Sequence, residues 1–171
     1  MSGLGTFPSS CVTSTLMRPG EGRLGSSMGM RRGIQPPHPQ RFHAGADIVA
    51  PRGTTVYAPR EGTVERVTDG RLPARGNPFG GYGNAVVLRH DSEGPLWSFY
   101  AHLDRALVSP GERVRAGTPI GLVGNTTNGK FRGMGAHLHF EVRHAREDGR
   151  SPYPGPYPQS PTRLRYNMDP E

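Results

Sequence analysis

The chain has 171 residues, one modest domain's worth, with 25 glycines and 18 prolines making up a quarter of it. Counted with its glycines, the apolar share is near the globular norm, which excludes a chain disordered throughout. A net charge of +7 suits an anionic partner, but the cations are nearly all dispersed arginines with no interleaved aromatic residues, which counts against nucleic acid.

Residues 1–21 are rich in Gly, Ser, Thr and Pro without periodicity and read as a flexible tail, leaving 22–171 as the folded domain. The tail holds the one cysteine, Cys11, so neither an intrachain disulfide nor a cysteine zinc knuckle can form. No apolar run is long enough to span a bilayer, and the first thirty residues lack the apolar stretch of a secretory signal. Pro36-Pro37-His38-Pro39 forces extended, irregular backbone. Beyond it, short β-type runs alternate with glycine turns: Asp47–Val49, Thr55–Ala58, Gly62–Val67, Asn84–His90, Trp97–Leu103, Pro119–Val123 and His137–Arg143. This spacing, without a capped helical period anywhere, predicts an all-β sandwich or barrel of short antiparallel strands. Thr68–Gly80 is longer than a simple turn and is a candidate substrate loop. Two stretches, 52–64 and 110–120, repeat a pattern of glycine turn, short strand and second glycine turn, as a duplicated β unit would. Ser151–Pro161 holds five prolines and reads as an extended strap.

Chemistry concentrates in three strand-like segments. In His137-Leu138-His139-Phe140-Glu141-Val142-Arg143, strand alternation puts Leu138, Phe140 and Val142 on the buried face and both histidines on the other, close enough to address one metal. In Ser98-Phe99-Tyr100-Ala101-His102-Leu103, alternation groups Phe99, Ala101 and Leu103, and sets His102 opposite with Ser98 and Tyr100. In His43-Ala44-Gly45-Ala46-Asp47, an imidazole and a carboxylate share a face across a glycine, and both are zinc ligands. Each segment alone has an ordinary alternative: surface histidines, a sheet histidine, a hydrogen bond in a turn. Together they supply three protein ligands, His43, Asp47 and one of His137 or His139, and leave the other histidine and His102 beside an open position. That is the inventory of metal-assisted hydrolysis. No His-Glu-x-x-His helix is present to supply a glutamate base. His38, His90 and His144 read as loop or surface groups, and the tyrosines Tyr82, Tyr153 and Tyr157 as packing or groove residues without an assigned role.

The strings HAGADIVAPRGTTVYAPREGTV, GGYGNAVVLRH, FYAHL, PGERVRAGTPIGLVGNT and GAHLHFEVR resemble, in order, the successive motifs of the lysostaphin-type (LytM-domain) zinc metallopeptidases. SSMGMRR and Asn167-Met168-Asp169-Pro170 resemble that family's opening and closing segments. The resemblance implies a duplicated β-sandwich with an active-site groove on one sheet, one zinc ion, and cleavage of peptide bonds in bacterial peptidoglycan. By position it implies His43, Asp47 and His139 as zinc ligands. It implies His137 as general base and His102 as the second histidine, which stabilises the transition state or orients water. It also implies a cell-envelope or extracellular protein, expected to be a monomer. Gly133-Met134-Gly135-Ala136 departs from the Thr-Gly, often followed by Pro, that the family carries before its histidine pair. The alternatives are a non-catalytic wall-binding or hydrolase-activating module of the same fold and a carrier domain. The carrier would need Lys130, the one lysine, on a hairpin tip, without the expected flanking pattern.

Overall fold

The computed structural model describes residues 18–27, 29–30, 42–68, 79–91, 96–127, 132–145, 149–153 and 167–168. The long loop at 69–78, the strap from 154 to 161, residues 1–17 with Cys11, the Pro36–Pro39 run with His38, Lys130 and Tyr157 lie outside the described residues. Within the described set every strand pairing is antiparallel, and the only helical element is a single 3-10 turn at Gly80–Tyr82.

The strands, in chain order, are β1 (Arg23–Ser26), β2 (Gly29–Met30), β3 (Phe42–His43), β4 (Ala46–Val49), β5 (Thr55–Tyr57), β6 (Gly62–Thr68), β7 (Asn84–His90), β8 (Leu96–Ala106), β9 (Arg113–Val114), β10 (Pro119–Val123), β11 (His137–His144) and β12 (Asn167–Met168). The main sheet runs β1-β4-β11-β8-β7-β6-β9. Strand β8 is 11 residues long, and its far end pairs with β10, which in turn carries β5. That continuation covers the main sheet with a second layer. Between the layers lies the larger core, with Ile48, Val56, Val64, Val86, Leu88, Tyr100, Leu103, Ile120, Leu138, Phe140 and Val142 all buried. The all-β sandwich anticipated from the strand spacing is what the chain forms.

The two repeated units meet each other. The Gly53 N–H donates to the Val123 carbonyl and the Val123 N–H to the Thr54 carbonyl, both at 2.8 Å, and Ala58 exchanges bonds with Gly117 and Thr118 at 2.9 Å. Val64 is bonded the same way by Gly111 and Glu112 at 2.8 Å. Pro19 and Gly20, placed by composition at the end of the tail, are part of this layer: the Pro19 carbonyl accepts from the Tyr57 N–H at 2.7 Å, and Gly20 bridges Val56.

Two expectations from alternation need correction. The second face of β11 is buried like the first: His139 is 3% exposed, Glu141 0% and Arg143 6%. It is covered by a smaller aromatic cluster of Phe79, Tyr82, Trp97, Phe99 and Tyr153. Alternation also fails at His102. Its φ of +59° is the only positive value at a non-glycine among the described residues, and the turn it makes returns Leu103 to the face of Tyr100. His102 is thereby sent to the same side as Phe99 and Ala101. A single left-handed residue does this by adding a half-step to the period of two.

Candidate metal centre

Three strand segments bring the site together. β4 and β11 are neighbours in register, with His139 directly opposite Asp47. His43 ends β3, and the short link Ala44-Gly45 returns the chain across β11. A Cβ at Gly45 would collide with the Phe140 carbonyl, so glycine is required for this approach. β8 pairs the other side of β11, with Ala101 opposite His139, which delivers His102.

His43 Nε2, Asp47 Oδ1 and His139 Nδ1 form a triangle with sides of 2.9, 3.0 and 3.0 Å. The three atoms form a group able to hold a metal ion. The remaining ring nitrogens are already committed. His43 Nδ1–H donates to the Ser27 carbonyl at 2.8 Å, and His139 Nε2–H donates to Glu141 Oε1 at 2.8 Å. With those protons placed, the triangle consists of two imidazole lone pairs and a carboxylate oxygen facing one another. Such a set repels itself unless a cation or an extra proton sits among them. A tetrahedral zinc site spaces its ligand atoms by about 3.3 Å, so the donor set and its spacing both suit that ion.

Without an ion, protonation takes up the strain. Burial opposes a charge on His139, but the carboxylates of Asp47 and Glu141 that it bonds outweigh this and raise its pKa to about 9. Burial likewise opposes ionisation of Asp47, yet bonds from His139 and His43 hold its carboxyl far below the usual range.

Two more histidines border the triangle. The His137 Nδ1–H donates to the Gly135 carbonyl at 2.9 Å, which leaves the lone pair on Nε2, 3.8 Å from Asp47 Oδ1. His102 Nδ1–H donates to the Thr126 carbonyl at 2.8 Å, again leaving Nε2 as an acceptor. The two rings are 4.8 Å apart. Burial, together with neighbouring His139 and His137, pushes the His102 pKa down to about 3, so this ring is neutral at physiological pH. Thr126 fixes it from both sides: its hydroxyl donates to the Leu103 carbonyl at 2.7 Å and accepts from the Asn84 N–H at 2.9 Å. A side chain at Gly83, where φ is +68°, would collide with Thr126.

All five residues singled out by sequence are thus neighbours. The sequence alone left Glu141, Tyr82, Tyr153 and the Ser27 carbonyl without roles, although each touches a candidate ligand directly or at one remove. For Glu141 a signal existed in its place two residues from His139 on one strand face. The tyrosines gave none, because only the fold brings them to that face.

The model of peptidase family M23 matches residues 41–152 of the chain. The chain belongs to peptidase family M23. Its relatives in that family include the DD-carboxypeptidase/endopeptidase Mpg of Neisseria meningitidis, 41% identical over 106 residues, which are 62% of this chain and 21% of that protein. The murein hydrolase activator NlpD of Escherichia coli is 31% identical over 131 residues, 77% of this chain and 28% of that one. Among solved structures, a zinc containing peptidase from Vibrio cholerae superposes with a TM-score of 0.59 at 30% identity, covering 75% of this chain and 36% of its own. The chain therefore spans about a fifth to just over a quarter of the length of these curated relatives. As an M23 chain it shares a family of zinc metallopeptidases, and its own His43–Asp47–His139 group is the place suited to such an ion. No helix among the described residues is long and apolar enough to cross a membrane.

Proposed function

We propose that this chain is a zinc-dependent endopeptidase that hydrolyses peptide bonds of bacterial peptidoglycan, in cross-links or stem peptides, within the cell envelope or outside the cell. The observation that carries this reading is the acceptor triangle with the His137 Nε2 3.8 Å from its Asp47 corner. His43, Asp47 and His139 hold the metal. A bound zinc ion supplies Lewis acidity, polarising the scissile carbonyl and making water acidic enough to attack near neutral pH. His137, its Nδ1–H given to Gly135, offers Nε2 to take the proton of the attacking water and passes it to the departing amine. His102 presents an unprotonated Nε2 as well, so the geometry favours orienting the water over donating to an oxyanion. The net charge of +7 favours an anionic wall polymer, an attraction that weakens with salt.

The described activity of Mpg supports this reading for a relative of the same family. The match to NlpD favours a second one, a non-catalytic module that binds peptidoglycan or activates another hydrolase. The full complement of His43, Asp47, His139, His102 and His137 supports the enzyme. The test is digestion of purified peptidoglycan by the zinc-loaded protein, with new amino termini counted and muropeptides identified by mass spectrometry. Wild type releases amino termini, and His137→Ala loses about 100-fold or more of the rate while keeping its zinc. Equal cutting by the variant removes His137 from its role. Zinc-loaded wild type that cuts no muropeptide but stimulates a separate wall hydrolase establishes the second reading.

A further inference from the structure

Glu141 is a completely buried carboxylate whose acceptor positions are all filled. Oε1 accepts from His139 Nε2–H and from the Tyr82 hydroxyl, both at 2.8 Å. Oε2 accepts from Arg143 Nη2 at 2.5 Å and from the Tyr153 hydroxyl at 3.1 Å. Four donors match the roughly four lone-pair sites of an ionised carboxylate. The donors come from separate parts of the chain. Tyr82 ends the 3-10 turn before β7, Arg143 is two residues along β11 on the same face, and Tyr153 lies beyond β11 altogether. Tyr153 is itself held, stacked on Phe99 at 4.9 Å with the Arg143 guanidinium 4.5 Å above its ring. With three donors fixing the carboxylate, its last direction points at His139.

A carboxylate this enclosed is costly, because burying an ion exacts several kcal/mol unless its partners compensate. Here the compensation has a consequence at the other side of the ring. A His139 proton fixed on Nε2 leaves the Nδ1 lone pair, and no other, to face His43 and Asp47. An imidazole hydrogen-bonded to a carboxylate is also a stronger metal ligand.

We propose that Glu141, clamped by Tyr82, Arg143 and Tyr153, is a positioning residue for the metal: it sets the tautomer and aim of His139 and strengthens it as a ligand. Tyr153 thereby ties the segment after β11 to metal affinity. The proposal rests on the reading of His43, Asp47 and His139 as the metal ligands.

The experiment uses the full chain as wild type, Tyr82→Phe, Tyr153→Phe and Glu141→Gln. Zinc affinity is measured by competition with a chromophoric chelator, the ligand field by the visible absorption of bound cobalt(II), and metal-free stability by thermal unfolding. Glu141→Gln turns an amide NH2 toward Arg143 and Tyr153, and zinc binding weakens about 10- to 100-fold with a shifted cobalt spectrum. Each Phe variant removes one donor without adding bulk and weakens binding about three- to fivefold, the scale of one hydrogen bond. If Glu141→Gln does not fold, the two Phe variants decide. Affinities within about twofold of wild type and an unchanged cobalt spectrum overturn the proposal, even where metal-free stability falls, because the cluster is then only structural. Wild type that binds no zinc is a different result and sinks the assignment of the ligands.

Discussion

His90 and His139 are both buried histidines on central strands, with 1% and 3% exposure, yet their surroundings differ in one respect. His90 Nδ1–H donates to the Glu61 carbonyl at 2.7 Å, and its Nε2 accepts from the Ser98 hydroxyl, also at 2.7 Å. The Tyr100 hydroxyl donates onward to Ser98 at 2.8 Å. Every proton there has a place with the ring neutral, and burial lowers the His90 pKa. At His139 the count does not close, since Nδ1 meets a second imidazole and a carboxylate, all acceptors. The contrast shows what separates a core histidine from a candidate metal ligand. Burial is common to both, and the excess of lone pairs over protons belongs to one.

The sharpest way to break the contrast is substitution. His139→Ala weakens zinc binding by more than about 100-fold, beyond the cost of losing a supporting group. His90→Ala leaves zinc affinity unchanged and lowers stability by about 2–4 kcal/mol, through a cavity and stranded polar partners. Chelator competition and denaturant unfolding on both variants check the pair, and a loss of zinc by the His90 variant would erase the distinction.

A smaller effect is expected from pH in the metal-free protein. For His139 the folded pKa, about 9, lies above the ordinary 6.5, so its stabilisation is complete below pH 6.5 and is lost as pH rises to about 9. His102, lowered to about 3, and His90, also lowered, act in the opposite sense: their contribution is complete above pH 6.5 and is lost as pH falls. Thermal unfolding should therefore peak near pH 6.5 and fall by about 5 °C toward pH 9. Added zinc removes the alkaline fall, because the ion replaces the Nδ1 proton. A flat profile between pH 6.5 and 9 without metal contradicts the protonated triangle.

The smallest effect concerns His102, whose left-handed backbone costs about 1–3 kcal/mol and is held by Thr126. Thr126→Val lowers kcat about three- to tenfold with zinc affinity unchanged, and Thr126→Ser, which keeps the hydroxyl, restores it. Steady-state kinetics on a muropeptide substrate separates the two variants. Equal kcat for both means that the hydroxyl does not position His102.

Much of this was legible beforehand because it is local. The strands Asn84–His90 and Pro119–Val123 have the same limits in the chain as in the structure, since period-two patterning and glycine turns are written in neighbouring residues. The added strands β1, β2, β3, β9 and β12 are two to four residues long and form only because a partner edge is present. The nearness of His43 and Asp47 was equally local, four residues apart across a glycine. The turn at His102 was not, because its φ depends on bonds to Thr126 24 residues away.

By itself, then, the order of residues determined an all-β chain, its strand punctuation and the histidine and aspartate types that chemistry at a metal requires. Only the folded arrangement decided which protons those side chains keep. That depends on groups remote in the chain, the Ser27, Gly135 and Thr126 carbonyls and the Glu141 carboxylate, reaching each ring from its far side. A ring nitrogen's role is set by what its other nitrogen touches, and the β-sheet registers and left-handed turn that create those contacts are properties of the whole fold.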